Sequence, residues 1–132
     1  MTTTHRYKAA VIIPSRGGAD ILHYPLDALA AQTEKDFQVI VVLDGDIDNS
    51  EAVLDRYIAE GKLNLTKIVF EENRGRVAAL NAGHRAADAD ILIRCDDDLE
   101  PAADYVEAQI RLHRDYDGVI GTLKNVYPDT PY

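Results

Sequence analysis

An open, mostly parallel α/β sheet with helices on both faces is the fold this sequence predicts. Three observations lead there. Five short apolar runs recur along the 132 residues, at 9–14, 39–43, 67–70, 91–95 and 119–123. Segments with helical patterning separate them. The second run, Val39-Ile40-Val41-Val42-Leu43, is continuous and mostly β-branched rather than alternating, as suits a strand covered on both faces. Strand–helix alternation of this kind implies right-handed crossovers and a doubly wound sheet.

Each element has its own local reason. After the first run, Pro25 fits a first helical turn, and Leu26, Leu29 and Ala30 follow on one face. After the second, Asp48-Asn49-Ser50-Glu51 supplies capping residues ahead of Val53, Leu54, Tyr57 and Ile58. Gly61 is a stop signal. The span 75–87 is alanine-rich, with Val77 and Leu80 as its expected apolar anchors. Gly83 inside it costs roughly 1 kcal/mol against alanine, which points to a close contact there. Pro101 is the expected start of the last helix, with Val106, Ile110 and His113 on one face. No repeat, linker or low-complexity segment interrupts the series, and residues 1–132 read as a single domain.

Composition narrows the function classes. Hydrophobic residues make up 46% and charged residues 28%, the balance of a globular protein. The lone Cys95 cannot form an internal disulfide, which fits a reducing compartment. The N-terminal residues carry no apolar run, and no uncharged stretch approaches membrane-spanning length, so a cytoplasmic location is expected. Fourteen basic against 23 acidic residues leave a net charge of −9, which argues against nucleic-acid binding. An anionic small ligand would need local arginines or a cation to overcome that field.

Ligands of open α/β sheets settle at the carboxyl ends of the strands. Those ends carry Pro14-Ser15-Arg16-Gly17-Gly18, Asp44-Gly45-Asp46, Asn73-Arg74-Gly75-Arg76 and Asp96-Asp97-Asp98. Three adjacent carboxylates raise one another's pKa unless a positive group sits among them, and a hard divalent cation relieves the repulsion. Mg²⁺ or Mn²⁺ held by one or two carboxylates plus substrate phosphates suits a nucleotide diphosphate. The competing reading is a solvated acidic turn ahead of a helix, and the triplet's place directly after a buried strand favours the metal. Arg16, Arg74, Arg76 and Arg94 are candidate phosphate or base contacts, with ordinary surface charge expected for at least two of them. Asp44 is a candidate acceptor for a base or ribose. There is no G-x-G-x-x-G and no P-loop motif, His5, His23, His84 and His113 lack ligand spacing, and Cys95 reads as structural.

Five stretches, in order, resemble family 2 glycosyltransferases of the GT-A fold, a Rossmann-like architecture. Residues 11–16 are similar to that family's opening strand and nucleotide loop, and residues 26–33 to its L-x-S-L-x-x-Q-T helix. Residues 39–45 resemble its V-I-V-V-D-D-G run, with Leu43 replacing the first acid; 73–83 matches N-x-G-x-x-x-A-x-N-x-G, and 96–98 stands where its D-x-D motif stands. The resemblance implies a nucleotide-sugar-binding half, with Pro14, Ser15, Arg16, Asp44, Arg76, Asp96 and Asp97 at the nucleotide. Asp96 and Asp98 would hold Mn²⁺ or Mg²⁺. A nucleotide-diphosphate sugar is the implied partner, with UDP-sugars the family's common choice, and the acceptor is unknown. The implied reaction is inverting and uses an acidic general base from a second half. No residue here matches that base, so none is assigned. A chain ending before that half would expose an apolar edge, and self-association as a homo-oligomer is one consequence.

Two other classes compete with this reading. One is a nucleotide- or metal-binding module without turnover. The other, a phosphate-accepting receiver, needs an acid pair after the first strand, where Pro14-Ser15-Arg16 stands instead.

Overall fold

In the computed structural model, which describes residues 5–116 and 118, four of the expected runs become parallel strands: β1 (Tyr7–Ser15), β2 (Phe37–Leu43), β3 (Leu65–Val69) and β4 (Ala89–Arg94). The run at 119–123 lies outside the described residues. The spatial order is β3-β2-β1-β4, with Ala9 level with Phe37 and Ser15 with Leu43. From β1 the chain builds outward to β2 and β3 on one side, then returns to place β4 on the other. The topological switch therefore falls between β1 and β4.

Between the strands lie α1 (His23–Ala30), α2 (Ser50–Glu60) and α3 (Arg76–Ala86), and α4 (Tyr105–Leu112) follows β4. Side chains alternate across a strand, so a continuous apolar run supplies two cores. Val11, Ile13, Val39, Val41 and Leu43 face Leu26 and Leu29 of α1, Leu54 and Tyr57 of α2 and Val106 of α4. Ile12, Ile40 and Val42 face the opposite side, against Ala79 of α3 and Phe70. Burying each such side chain contributes roughly 1.5–3 kcal/mol.

Three local expectations are corrected. Val77 is 72% exposed and anchors nothing. The fully buried residues of α3 are Ala79 and Gly83, where the helix lies too close to β1 for a larger side chain, and Leu80, the other expected anchor, packs half-buried against the same core. Pro101 does not open α4, which starts at Tyr105. The carbonyls of Ala102 and Ala103 accept hydrogen bonds from Gln32 and Thr33, and that holds 101–104 in a non-helical turn. At α2, Asn49 occupies the N-cap in a left-handed conformation without a side-chain cap. Asp46 Oδ1 accepts from the Ser50 amide at 2.8 Å instead.

The close approach expected at Gly83 is present. A Cβ there would lie 2.5 Å from Ile12 Cγ2. Gly83→Ala should therefore destabilise by about 1–3 kcal/mol through overpacking, outweighing its helix-propensity gain of about 1 kcal/mol. Urea denaturation reads the sign directly, and a stabilised variant would refute the contact.

Candidate functional site

Parallel register lifts the carboxyl ends of all four strands to one rim, and backbone bonds continue past the strands. The Asp44 amide donates to the Ser15 carbonyl at 2.8 Å, Phe70 N to Leu43 O at 2.9 Å and Cys95 N to Ile12 O at 3.0 Å. The polar loops therefore leave the sheet side by side.

Across the switch point, Ser15 Oγ donates to Asp97 Oδ2 at 2.7 Å. Ser15 is buried, and Gly18 lies against the pair. A Cβ on Gly18 would collide with Ser15 Oγ and come within 3.0 Å of Asp97 Oδ2. Burial pushes the Asp97 carboxyl above the ordinary range, the Ser15 hydroxyl opposes that, and Asp98 and Asp96 add to the rise. The neighbouring Cys95 thiol is pushed up to about 12 by burial and then by the three carboxylates, which fits a structural, unreactive role.

An acid whose pKa is raised by folding adds stability below its unfolded value and loses it as pH rises through the folded one. Asp97→Asn should therefore raise Tm at pH 7 in the ligand-free protein, with the advantage shrinking as pH falls toward the ordinary carboxylate range. Thermal melts across that interval test it, and an advantage that grows in acid would contradict the assignment.

Asp44 closes the other half of the rim. Its side chain is buried and accepts from two backbone amides, Arg74 N to Oδ1 at 2.6 Å and Gly75 N to Oδ2 at 2.9 Å. Gly75 has φ 97°, a conformation that favours glycine, and it turns the chain directly into α3. The carboxylate thus sits ahead of a helix N-terminus, where negative charge is favoured. Asp48 joins the first two loops: its Oδ2 accepts from Ala19 N at 2.9 Å. Hydrogen bonds from Ser50, first, and Ala19 hold its carboxyl below the ordinary range.

The four arginines differ in their surroundings. Arg74 stacks on Phe70, 4.7 Å from the ring centroid, and Arg94 Nη2 lies 3.5 Å from Asp96 Oδ1. Arg16 and Arg76 are exposed on the rim, and neither pairs with a carboxylate among the described residues. Pro14 is buried beside Val42 and shapes the end of β1 rather than reaching solvent. Asp96 is half-exposed and Asp98 exposed.

Among the described residues no three His, Cys, Asp or Glu side chains converge into a metal cage. The donor set suits a cation that takes one or two carboxylates and completes its shell with phosphates and water. A cavity of about 270 Å³ lies at the amino-terminal end of the sheet, lined by Lys8, Glu34, Glu107, Ile110, Arg111 and Arg114. None of the rim residues lines it. No helix of the described residues is long and apolar enough to cross a membrane.

Comparison with known proteins bears on this rim. The glycosyl transferase family 2 model matches residues 10–131. The uncharacterized glycosyltransferase YfnE of Bacillus subtilis is 34% identical over 114 residues, which is 86% of this chain and 29% of that protein. The undecaprenyl-phosphate 4-deoxy-4-formamido-L-arabinose transferase of Proteus mirabilis is 26% identical over 93% of this chain and 39% of its own length. Among solved structures, the mannosyltransferase PcManGT of Pyrobaculum calidifontis, in complex with GDP-Man and Mn²⁺, aligns with a TM-score of 0.77 at 28% identity, over 86% of this chain and 34% of that one. S. aureus TarS in complex with UDP-GlcNAc aligns with a TM-score of 0.73 at 26% identity, over 81% of this chain and 32% of that one. The chain spans less than half the length of each of these proteins. The parallel sheet, the loops gathered at its carboxyl rim and the match over residues 10–131 agree: the chain belongs to glycosyl transferase family 2.

Proposed function

We propose that this chain is the donor-binding part of an inverting, metal-dependent glycosyltransferase acting on a nucleotide-diphosphate sugar. The observation that carries the reading is the Ser15–Asp97 hydrogen bond, which joins the β1 loop to the acidic triplet across the switch point. Open α/β sheets bind nucleotides in that crevice.

The residue roles are those the family resemblance implies. Asp97, oriented by Ser15, and Asp96 would serve the ribose. Asp44 keeps lone pairs beyond those its two amides use, and serves the base. Arg16 and Arg76 offset the chain's negative field where a diphosphate must enter. Asp98, with Asp96, would hold Mn²⁺ or Mg²⁺, whose chemistry is to neutralise charge developing on the departing diphosphate. UDP-sugars are the first choice of donor; the solved neighbours carry UDP-GlcNAc in one case and GDP-Man in another. The acceptor and its general base are not assigned to this chain. A cytoplasmic location belongs to the same proposal and is consistent with the free, buried Cys95.

Calorimetric titration of UDP and GDP with and without Mn²⁺ tests the reading. Metal-dependent binding of either is expected; identical heats with and without the metal would defeat it. Transfer assays on this chain and on a longer form carrying an acceptor half separate an enzyme from a binding module. Turnover gained by extension supports the enzyme, and binding without turnover in both supports the module.

A further inference from the structure

The geometry points to Gln32 and Thr33 as positioning residues for the acidic loop, clamping the far end of the 95–104 segment to the end of α1. Gln32 is 1% exposed. Its Nε2 donates to Ala102 O at 2.6 Å and to Ala28 O at 3.1 Å, and its Oε1 accepts from Val106 N at 3.0 Å. Thr33 N donates to Ala103 O at 2.8 Å, and Thr33 Oγ1 to Glu107 Oε2 at 2.7 Å. One short stretch of chain therefore holds residues 102, 103, 106 and 107, all more than 65 residues away in sequence.

The loop between these anchors carries Asp96, Asp97 and Asp98. Its near end is fixed by β4, where Cys95 N bonds Ile12 O at 3.0 Å. Its middle is tied by Ser15 to Asp97. Without a fixed far end, mutual repulsion among the three carboxylates would spread the loop over more conformations. The clamp uses both functions of a primary amide, donor and acceptor, in a site closed to water. Glutamate lacks the donor, methionine lacks both, and asparagine is one methylene short.

That the clamp matters for donor binding rests on the functional reading above; that it orders the loop does not. Two measurements on the full chain keep them apart. In hydrogen–deuterium exchange, Gln32→Met should speed exchange of amides in residues 96–106 by about tenfold or more, since one unmade buried hydrogen bond corresponds to roughly that factor. Residues 76–86 should keep the parent rate. In UDP titrations, the affinity gained on adding Mn²⁺ should fall by about tenfold, with metal-free binding unchanged. Leu54→Ala, a core truncation in α2, should speed exchange in α3 as much as in the loop and leave the Mn²⁺ increment unchanged, so lost stability alone does not mimic the effect. Thr33→Ser, which keeps the hydroxyl, should match the parent. Parent-like exchange at 96–106 in Gln32→Met, or acceleration shared equally by α3, would overturn the clamp. Faster loop exchange beside a parent chain that binds no UDP with Mn²⁺ would uphold the clamp and defeat the donor reading instead.

Discussion

Asp44→Ala is expected to lose about 2–4 kcal/mol of folding stability, because it strips two part-buried backbone amides of a charged acceptor, such bonds being worth about 1.5–3 kcal/mol when buried and less where water reaches. The two amides are those of Arg74 and Gly75, at 2.6 and 2.9 Å. Among the described residues nothing else on the rim bonds both amides, since the Asn73 side chain reaches Gly75 N alone. A domain of this size has only about 5–15 kcal/mol in total, so the variant sits near the edge of folding. Asp44→Asn retains one acceptor but turns an NH₂ group toward an N–H, and about half the loss is expected. Equilibrium urea denaturation at pH 7 measures both. A loss under about 1 kcal/mol for the alanine variant would mean the loop is satisfied without the carboxylate, against the ordinary magnitude of such bonds.

The contrast between Asp44 and its neighbours shows what a sequence can reveal here. The strands were legible because a run such as Val39–Leu43 must be buried on both faces to be stable, and no helical or loop reading accommodates it equally well. Ser15 and Asp97 were legible as rim residues by position alone, each standing at the end of such a run. The partners of Asp44 were not. They are backbone amides 30 and 31 residues away, and every segment has amides, so no residue type announces them.

Gln32 and Thr33 stood inside a motif the resemblance picked out, but the motif names no partner for them. Their partners are the carbonyls of a turn that Pro101 disguises as a helix start. Within α3 the same difficulty takes another form. Hydrophobicity favours Val77 as an anchor, yet proximity of the helix to β1 selects for small size, and Ala79 and Gly83 face inward. Gly83 gave the warning, since a glycine within a helix is unfavourable unless something needs the space.

Asp98→Ala carries the opposite signature to Asp44→Ala, a large effect on ligand with almost none on the fold. Asp98 is exposed, and no hydrogen bond or ion pair engages it among the described residues. Removing an exposed side chain of that kind changes stability by less than about 0.5 kcal/mol. The sign should even be favourable, because Asp98 is one of the charges that push the Asp97 carboxyl upward. Metal-dependent binding of UDP or GDP, in contrast, should fall by at least the roughly 10–100-fold that outer partners of a metal ligand are worth, since the proposed cation site would lose a direct ligand. Asp96→Ala should fall less steeply, because Arg94 beside it already neutralises part of its charge. Calorimetry in the presence of Mn²⁺ and a thermal melt on the same samples report the two quantities independently. Unchanged nucleotide affinity would take Asp98 out of the cation site. A matching drop in Tm would recast it as a structural acid, and the acidic triplet would then lose its claim to hold a metal at the rim.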